Sequence, residues 1–119
     1  MNNFCINLTR SIDDPDRSTV AMVVANASVA SGKNTMVFLT SEGVRLAVKG
    51  IADTIKEEGL QPMADLVKNY VAAGGTFLVC TPCYKKRGYT EADLIDGATL
   101  VGAVKLVEFM TNDATGVSY

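Results

Sequence analysis

The sequence predicts a single α/β domain, with a mostly parallel sheet sandwiched between helices, and three observations carry this prediction. Three short apolar runs of strand length occupy residues 4–8, 35–39 and 77–80. Between them lie segments with apolar residues at helical spacing. An alternating order of strands and helices favours parallel strands joined by helical crossovers. The 119 residues are enough for one domain with its own core, so residues 1–119 are expected to form one unit.

The first half of the chain carries clear helix boundary signals. At residues 13–15, two acidic residues precede a proline, which is the pattern of a helix start. Gly32 is expected to end that helix after its apolar positions. Residues 41–43 are predicted to form a loop, and the apolar spacing over residues 44–55 predicts another helix.

The second half continues the alternation. Residues 62–75 begin with proline, carry an apolar stripe and end in two glycines, which predicts a helix. Residues 90–93 form a capping-box pattern, with aspartate in place of the usual glutamate. A fourth strand is predicted at residues 99–101, a helix at 103–110 and a last strand at 115–118.

Composition excludes several classes of function. Charged residues make up 20% of the chain and the net charge is −2, which argues against nucleic acid as a partner. No apolar run reaches the roughly 18 residues that a membrane span needs, and the N-terminus lacks a signal-peptide pattern. A cytoplasmic, reducing location is therefore expected. There, Cys5, Cys80 and Cys83 are expected to be free thiols.

Two of these thiols lie at the predicted end of the third strand. In open parallel sheets, functional crevices lie at the carboxyl ends of the strands. Three predicted loops, at residues 9–15, 40–43 and 80–88, should meet at that edge. Since the chain contains no histidine, a nucleophile here must be a thiolate activated by its surroundings.

The best candidate for chemistry is Cys80, with three cations close behind it. Lys85, Lys86 and Arg87 are expected to lower the pKa of Cys80 and to bind an anionic sulfur donor or an acidic partner. A thiolate at this point can attack a sulfane sulfur and hold it as a persulfide. Cys83, three residues on, either resolves a persulfide or disulfide on Cys80 or is a passive neighbour.

Other candidates are weaker. Cys5 falls about 13 Å from the carboxyl end of its strand, at roughly 3.3 Å per residue, so we expect a buried structural thiol. Glu42 on the rim could orient a proton or a partner's lysine. A zinc site needs four Cys or His ligands, and the chain offers one close cysteine pair, so no metal is expected. Neither a phosphate loop nor a dinucleotide fingerprint is present, and no cofactor is expected.

The words F-L-V-C-T-P-C-Y-K-K-R-G and E-A-D-L-I-D-G-A, within residues 77–98, resemble the DsrE/DsrF-like family of small sulfur-handling proteins. The resemblance implies a three-layer α/β/α sandwich around a five-stranded sheet. It also implies a sulfurtransferase-like carrier that relays sulfane sulfur as a persulfide on Cys80, to or from other sulfur carriers or small sulfane-sulfur compounds. Family members commonly form homotrimers or homohexamers. Cys83 stands where a small residue is usual in some members.

Two alternatives come from other functional classes. The word C-T-P-C resembles the active site of thiol-disulfide oxidoreductases, which would use Cys80 and Cys83 as a redox pair. Its late position, with no later proline, argues against a thioredoxin. A non-catalytic module whose function is oligomeric assembly is the other alternative.

Overall fold

A computed structural model describes residues 2–119 as a five-stranded sheet with helices on both faces. The strands run β1 (Asn3–Leu8), β2 (Asn34–Leu39), β3 (Thr76–Cys80), β4 (Ala98–Val101) and β5 (Ala114–Ser118). The helices are α1 (Pro15–Ala30), α2 (Met63–Ala72), α3 (Thr81–Lys86) and α4 (Ala103–Met110). All strand pairs are parallel, in the order β4-β3-β2-β1-β5. The predicted fold class is confirmed.

The alternating side chains of the strands divide the interior into two unequal cores. On one face, the sheet packs against α1 and α2 in a core that includes Ile6, Val37 and Phe77. On the other face, Cys5 and its neighbours are covered by α4. Because strand side chains point alternately to opposite faces, one run of six residues can supply both cores.

The boundaries that the sequence predicted for the first helix, and the predicted capping box, are confirmed. Asp14 caps α1, its carboxylate accepting the backbone N–H of Arg17 at 3.1 Å, and Pro15 is the first helical residue. Gly32 follows the end of α1 with a φ of 79°, a conformation that glycine adopts at little cost. The capping box also forms: the backbone N–H of Thr90 donates to the carboxylate of Asp93 at 2.8 Å.

The predicted α-helix over residues 44–55 is wrong. The chain forms a 3₁₀ segment at Ser41–Ala47 and a second, shorter one at Ala52–Thr54. Between them, Val48 is extended and bridges to Leu94. The backbone groups here therefore bond across to another loop instead of along a helix.

The segment 80–88, predicted as a loop, contains helix α3. Pro82 lies in the first turn of α3, where a backbone N–H would have no helical partner and its absence costs nothing. Tyr84 is the residue of this helix that is buried in the core. The six-residue length gives too few apolar positions for a helical period to be visible in the sequence.

The face of the sheet beneath α4 is thinly covered. This eight-residue helix leaves Val104 70% exposed and Val107 58% exposed, and β5 beside it is mostly exposed. Apolar side chains are thus presented outward on this side of the domain. Within residues 2–119, no helix has the length and apolar character needed to cross a membrane.

Candidate functional site: a thiol pair at the carboxyl edge of the sheet

The 3₁₀ segment Ser41–Ala47 forms one wall of the site because it packs tightly on the end of β1. A Cβ placed on Gly43 would lie 2.1 Å from the carbonyl oxygen of Leu8 and 3.3 Å from Cα of Thr9. Only glycine permits that approach. Ser41 opens the segment with a φ of 53°, a conformation uncommon for residues other than glycine. The exits of β1 and β2 are therefore held together, as the sequence predicted for segments 9–15 and 40–43.

Helix α3 forms the opposite wall and carries both thiols. Cys80 is the last residue of β3 and the N-cap of α3, and Cys83 lies in the first turn. Both are free and partly buried. The hydroxyl of Thr81 donates to the carbonyl of Val101 at 2.9 Å, which ties the start of α3 to β4.

A carboxylate joins the two walls. Glu42 accepts Nε of Arg45 at 2.7 Å on one oxygen and Nε of Arg87 at 2.9 Å on the other. Arg87 also donates Nη1 to the carbonyl oxygen of Cys83 at 2.9 Å. The Arg87 side chain is only 16% exposed, so this arrangement is shielded from water better than a typical surface ion pair.

Glu42 and Arg87 thus have structural roles beyond those that the sequence suggested. The sequence suggested that Glu42 could orient a proton or a partner's lysine, but both of its oxygens accept hydrogen bonds from arginines. The hydrogen bonds from Arg45 and Arg87 hold the pKa of Glu42 below its usual range. The carboxylate is therefore ionised near neutral pH and acts as a fixed link between the walls.

The electrostatics of the two thiols differ from the prediction. Burial raises the pKa of Cys80, the neighbouring Cys83 thiol raises it further, and the Cys83 backbone N–H and the charge of Arg87 only partly offset this rise. The expectation that nearby cations lower the pKa of Cys80 is wrong in its net direction. Burial and the adjacent sulfur outweigh Arg87.

The pKa of Cys83 is shifted in the opposite direction. Burial tends to raise the pKa of Cys83, but the backbone N–H of Ser41, the Cys80 thiol and the charges of Arg87 and Lys86 together hold it below its ordinary value. Because the two thiols interact, they titrate as a pair. The negative charge of the singly ionised pair rests mainly on Cys83, with the proton on Cys80.

The remaining predicted residues are spread around this pair. Lys86 is exposed on α3 and contributes to the field at Cys83, whereas Lys85 is exposed and has no part in the pKa shift of either thiol. Cys5 is fully buried and, through the strand register, lies level with Met36 and so with Thr76. Thr76 precedes Cys80 by four residues, so Cys5 is remote from the pair, as the strand-length argument predicted.

Three contributors were missed by the sequence analysis. Ser41 supplies a backbone N–H, Arg45 supplies the second partner of Glu42, and Tyr89 accepts Nη1 of Arg45 at 2.7 Å on its hydroxyl oxygen. The spacing of three residues between Glu42 and Arg45 could have suggested their ion pair. Nothing local to Tyr89 indicates its contact with a residue 44 positions earlier.

The fold and this edge define a class of protein: a three-layer α/β domain that presents two interacting thiols at the carboxyl end of a parallel sheet. The model of the DsrE/DsrF-like family matches residues 2–118. The chain belongs to that family, which confirms the resemblance drawn from the sequence.

Similar proteins have been identified in archaea and bacteria. The chain is 28% identical to the uncharacterized protein MJ0989 of Methanocaldococcus jannaschii, over 98% of both chains. It is 25% identical to MJ0760 of the same organism over 91% of its own length, but it spans only 39% of that relative. The crystal structure of YchN from E. coli superposes with a TM-score of 0.83 over all of both chains, at 19% identity, and shows the same fold.

Proposed function

We propose that this protein carries sulfane sulfur as a persulfide on Cys80, with Cys83 as an auxiliary thiolate. The observation that carries the proposal is the pair of interacting free thiols at the carboxyl edge of β3, beside Arg87. Membership of the DsrE/DsrF-like family supports it. The family resemblance, rather than the resting charge distribution, selects Cys80 as the carrier.

Loading would proceed by thiol exchange. The Cys83 thiolate takes the proton of Cys80, and the Cys80 sulfur attacks the outer sulfur of a persulfide or polysulfide donor. The donor's sulfur–sulfur bond breaks, its inner sulfur leaves as a thiolate or shorter polysulfide, and the outer sulfur stays on Cys80. Exchange of this kind is efficient when the attacking thiol has a pKa near ambient pH, and an adjacent base serves the same end for a thiol of higher pKa.

The partners would be other sulfur-carrier proteins or small sulfane-sulfur compounds, in a reducing compartment such as the cytoplasm. Lys86 and Arg87, whose charges act on Cys83, together with the exposed Lys85, would attract an anionic donor or an acidic partner. We also propose a homotrimer or homohexamer. The thin cover over the α4 face, with Val104 and Val107 exposed, supplies apolar surface for such contacts.

The loading test uses polysulfide and intact mass. Wild-type protein sampled at the earliest times should carry added sulfur, Cys83→Ser should load more slowly because it lacks the adjacent thiolate but should reach one added sulfur, and Cys80→Ser should take up none. Sulfur mapped to Cys83 in a chain whose Cys80 is unmodified would contradict the assignment. For the assembly, light scattering should give a multiple of three subunits, and a monomer at micromolar concentration would contradict it.

A further inference from the structure

We infer that Cys83 discharges the persulfide on Cys80 as hydrosulfide, closing a Cys80–Cys83 disulfide, so that the protein is a sulfide-releasing reductase of sulfane sulfur as well as a carrier. This inference rests on the proposed loading of Cys80. It assigns Cys83 a chemical step of its own, which a pure carrier does not need.

The spacing of the two cysteines suits a disulfide. Cys80 is the N-cap of α3 and Cys83 lies three residues on, in its first turn. The side chain of an N-cap residue points toward the third helical residue, which here is Cys83, and the two thiols interact directly; the Cβ separation of roughly 4 Å that a disulfide needs is therefore within reach. The two thiols already interact, since each changes the pKa of the other. Closing the bond requires a small local adjustment and no movement of the sheet.

The surrounding contacts hold both ends of α3 in position. Thr81 is bonded to β4, and Arg87 is bonded both to the carbonyl of Cys83 and to Glu42 on the opposite wall. These contacts involve neither sulfur atom, so they persist in the reduced and the oxidised protein. A fixed helix keeps the Cys83 sulfur near the Cys80 sulfur, which favours an intramolecular attack over attack by a free thiol.

The step balances without an external oxidant. The Cys83 sulfur attacks the Cys80 sulfur, and the bond between Cys80 and the sulfane sulfur breaks. The proton that the pair shares goes to the departing sulfur, which leaves as hydrosulfide. Two electrons pass from the cysteine sulfurs to the sulfane sulfur, so the disulfide is the oxidised product. The Arg87 and Lys86 charges stabilise the anionic leaving group near the pair, and a dithiol reductant resets the disulfide for a second cycle.

On every loaded chain, two reactions compete: transfer of the sulfur to a partner, and attack of Cys83 on the Cys80 persulfide. Transfer to a partner must occur before Cys83 reaches the Cys80 persulfide. A bound partner that covers Cys83 or draws the Cys80 persulfide outward would favour delivery, and a chain without a partner would release hydrosulfide.

The test is a single turnover without oxygen or added thiol. Wild-type protein receives one equivalent of inorganic polysulfide, is desalted at once, and is followed by hydrosulfide assay and intact mass. We expect release of close to one hydrosulfide per loaded chain, together with a mass lower by two hydrogens. Cys83→Ser should keep one added sulfur, with a persulfide lifetime about tenfold longer or more, until a dithiol is added. Cys5→Ala, a remote buried site, should behave as wild type.

The outcomes separate this inference from the function on which it rests. Wild-type protein that retains the added sulfur, as a persulfide with an alkylatable Cys83 or as a trisulfide, would overturn the release step and leave the carrier proposal standing. If neither the wild-type protein nor Cys83→Ser takes up sulfur, the carrier proposal fails and the release step fails with it. Hydrosulfide released equally by Cys80→Ser would show that the pair is not the source.

Discussion

Substitution of Gly43 tests how closely the site depends on the packing of the 3₁₀ segment against β1. In Gly43→Ala, the new Cβ would lie 2.1 Å from the carbonyl oxygen and 2.9 Å from the carbonyl carbon of Leu8. Ordinary contacts are about 3.5 Å, so the segment must retreat by on the order of 1 Å. Both obstructing atoms are backbone, and no side-chain rotation can relieve the overlap.

The cost should resemble that of an overpacked core, about 1–3 kcal/mol. For a domain of this size, that lowers Tm by roughly 4–12 °C. Retreat of the segment also withdraws the backbone N–H of Ser41 from Cys83 and strains the link from Glu42 to Arg87. We therefore expect slower alkylation of Cys83 by iodoacetamide at neutral pH, because less of it is thiolate.

Calorimetry and pH-dependent alkylation followed by peptide mapping measure the two effects. Gly102→Ala is the matched control, since a Cβ placed on Gly102 would have no atom within 4 Å and the residue's φ is −94°. Because Gly102 is the N-cap of α4 and alanine caps a helix less well than glycine, that control should lose about 0.5–1 kcal/mol but keep wild-type alkylation of Cys83. A Gly43→Ala protein with wild-type Tm and wild-type alkylation would refute the close-packing argument.

Three further predictions address the core, the link and the thiol field. Tyr70→Phe removes a fully buried hydroxyl that donates to a β3 carbonyl at 2.7 Å. The free energy of unfolding measured in urea should therefore fall by about 1–2 kcal/mol, and an unchanged urea midpoint would contradict this prediction. Glu42 has a pKa below its usual range in the folded protein, so its ionised form adds stability above about pH 4 that is lost as the pH falls through the folded pKa. The difference in unfolding free energy between wild type and Glu42→Gln should therefore shrink in acid, and a difference that grows there would count against the link. Arg87→Gln removes a charge that favours the Cys83 thiolate, so the midpoint of alkylation should move to higher pH, whereas Lys33→Gln, near the opposite end of β2, should leave it in place.

Local sequence patterns predicted helices and strands correctly wherever a segment's own residues determine its conformation. The bounds predicted for α4 match Ala103–Met110, and the cap and proline at Asp14 and Pro15 form as predicted. The positions of β1, β2 and β3 were predicted to within a residue at each end, because parallel strands covered on both faces read as continuous apolar runs. The position of Cys80 at a strand's carboxyl end follows from the same patterns.

Features that depend on partners far away in the chain could not be predicted from local patterns. The apolar spacing of residues 44–55 is compatible with a helix, but the backbone N–H of Lys49 bonds to Asp93 and that of Ile95 bonds to Ala47. These bonds replace helical ones, and no local pattern reveals them.

The same distinction applies to the thiol pair. The order of residues alone predicts that two thiols, followed closely by three cations, lie at the edge of a parallel sheet. Which thiol holds the negative charge depends on the burial of Cys80, on the Ser41 backbone N–H, and on the anchoring of Arg87 by Glu42. All three depend on how elements that are far apart in the chain pack against one another. A pKa responds to burial and to the distances to nearby charges and hydrogen-bond donors, which the order of residues does not give.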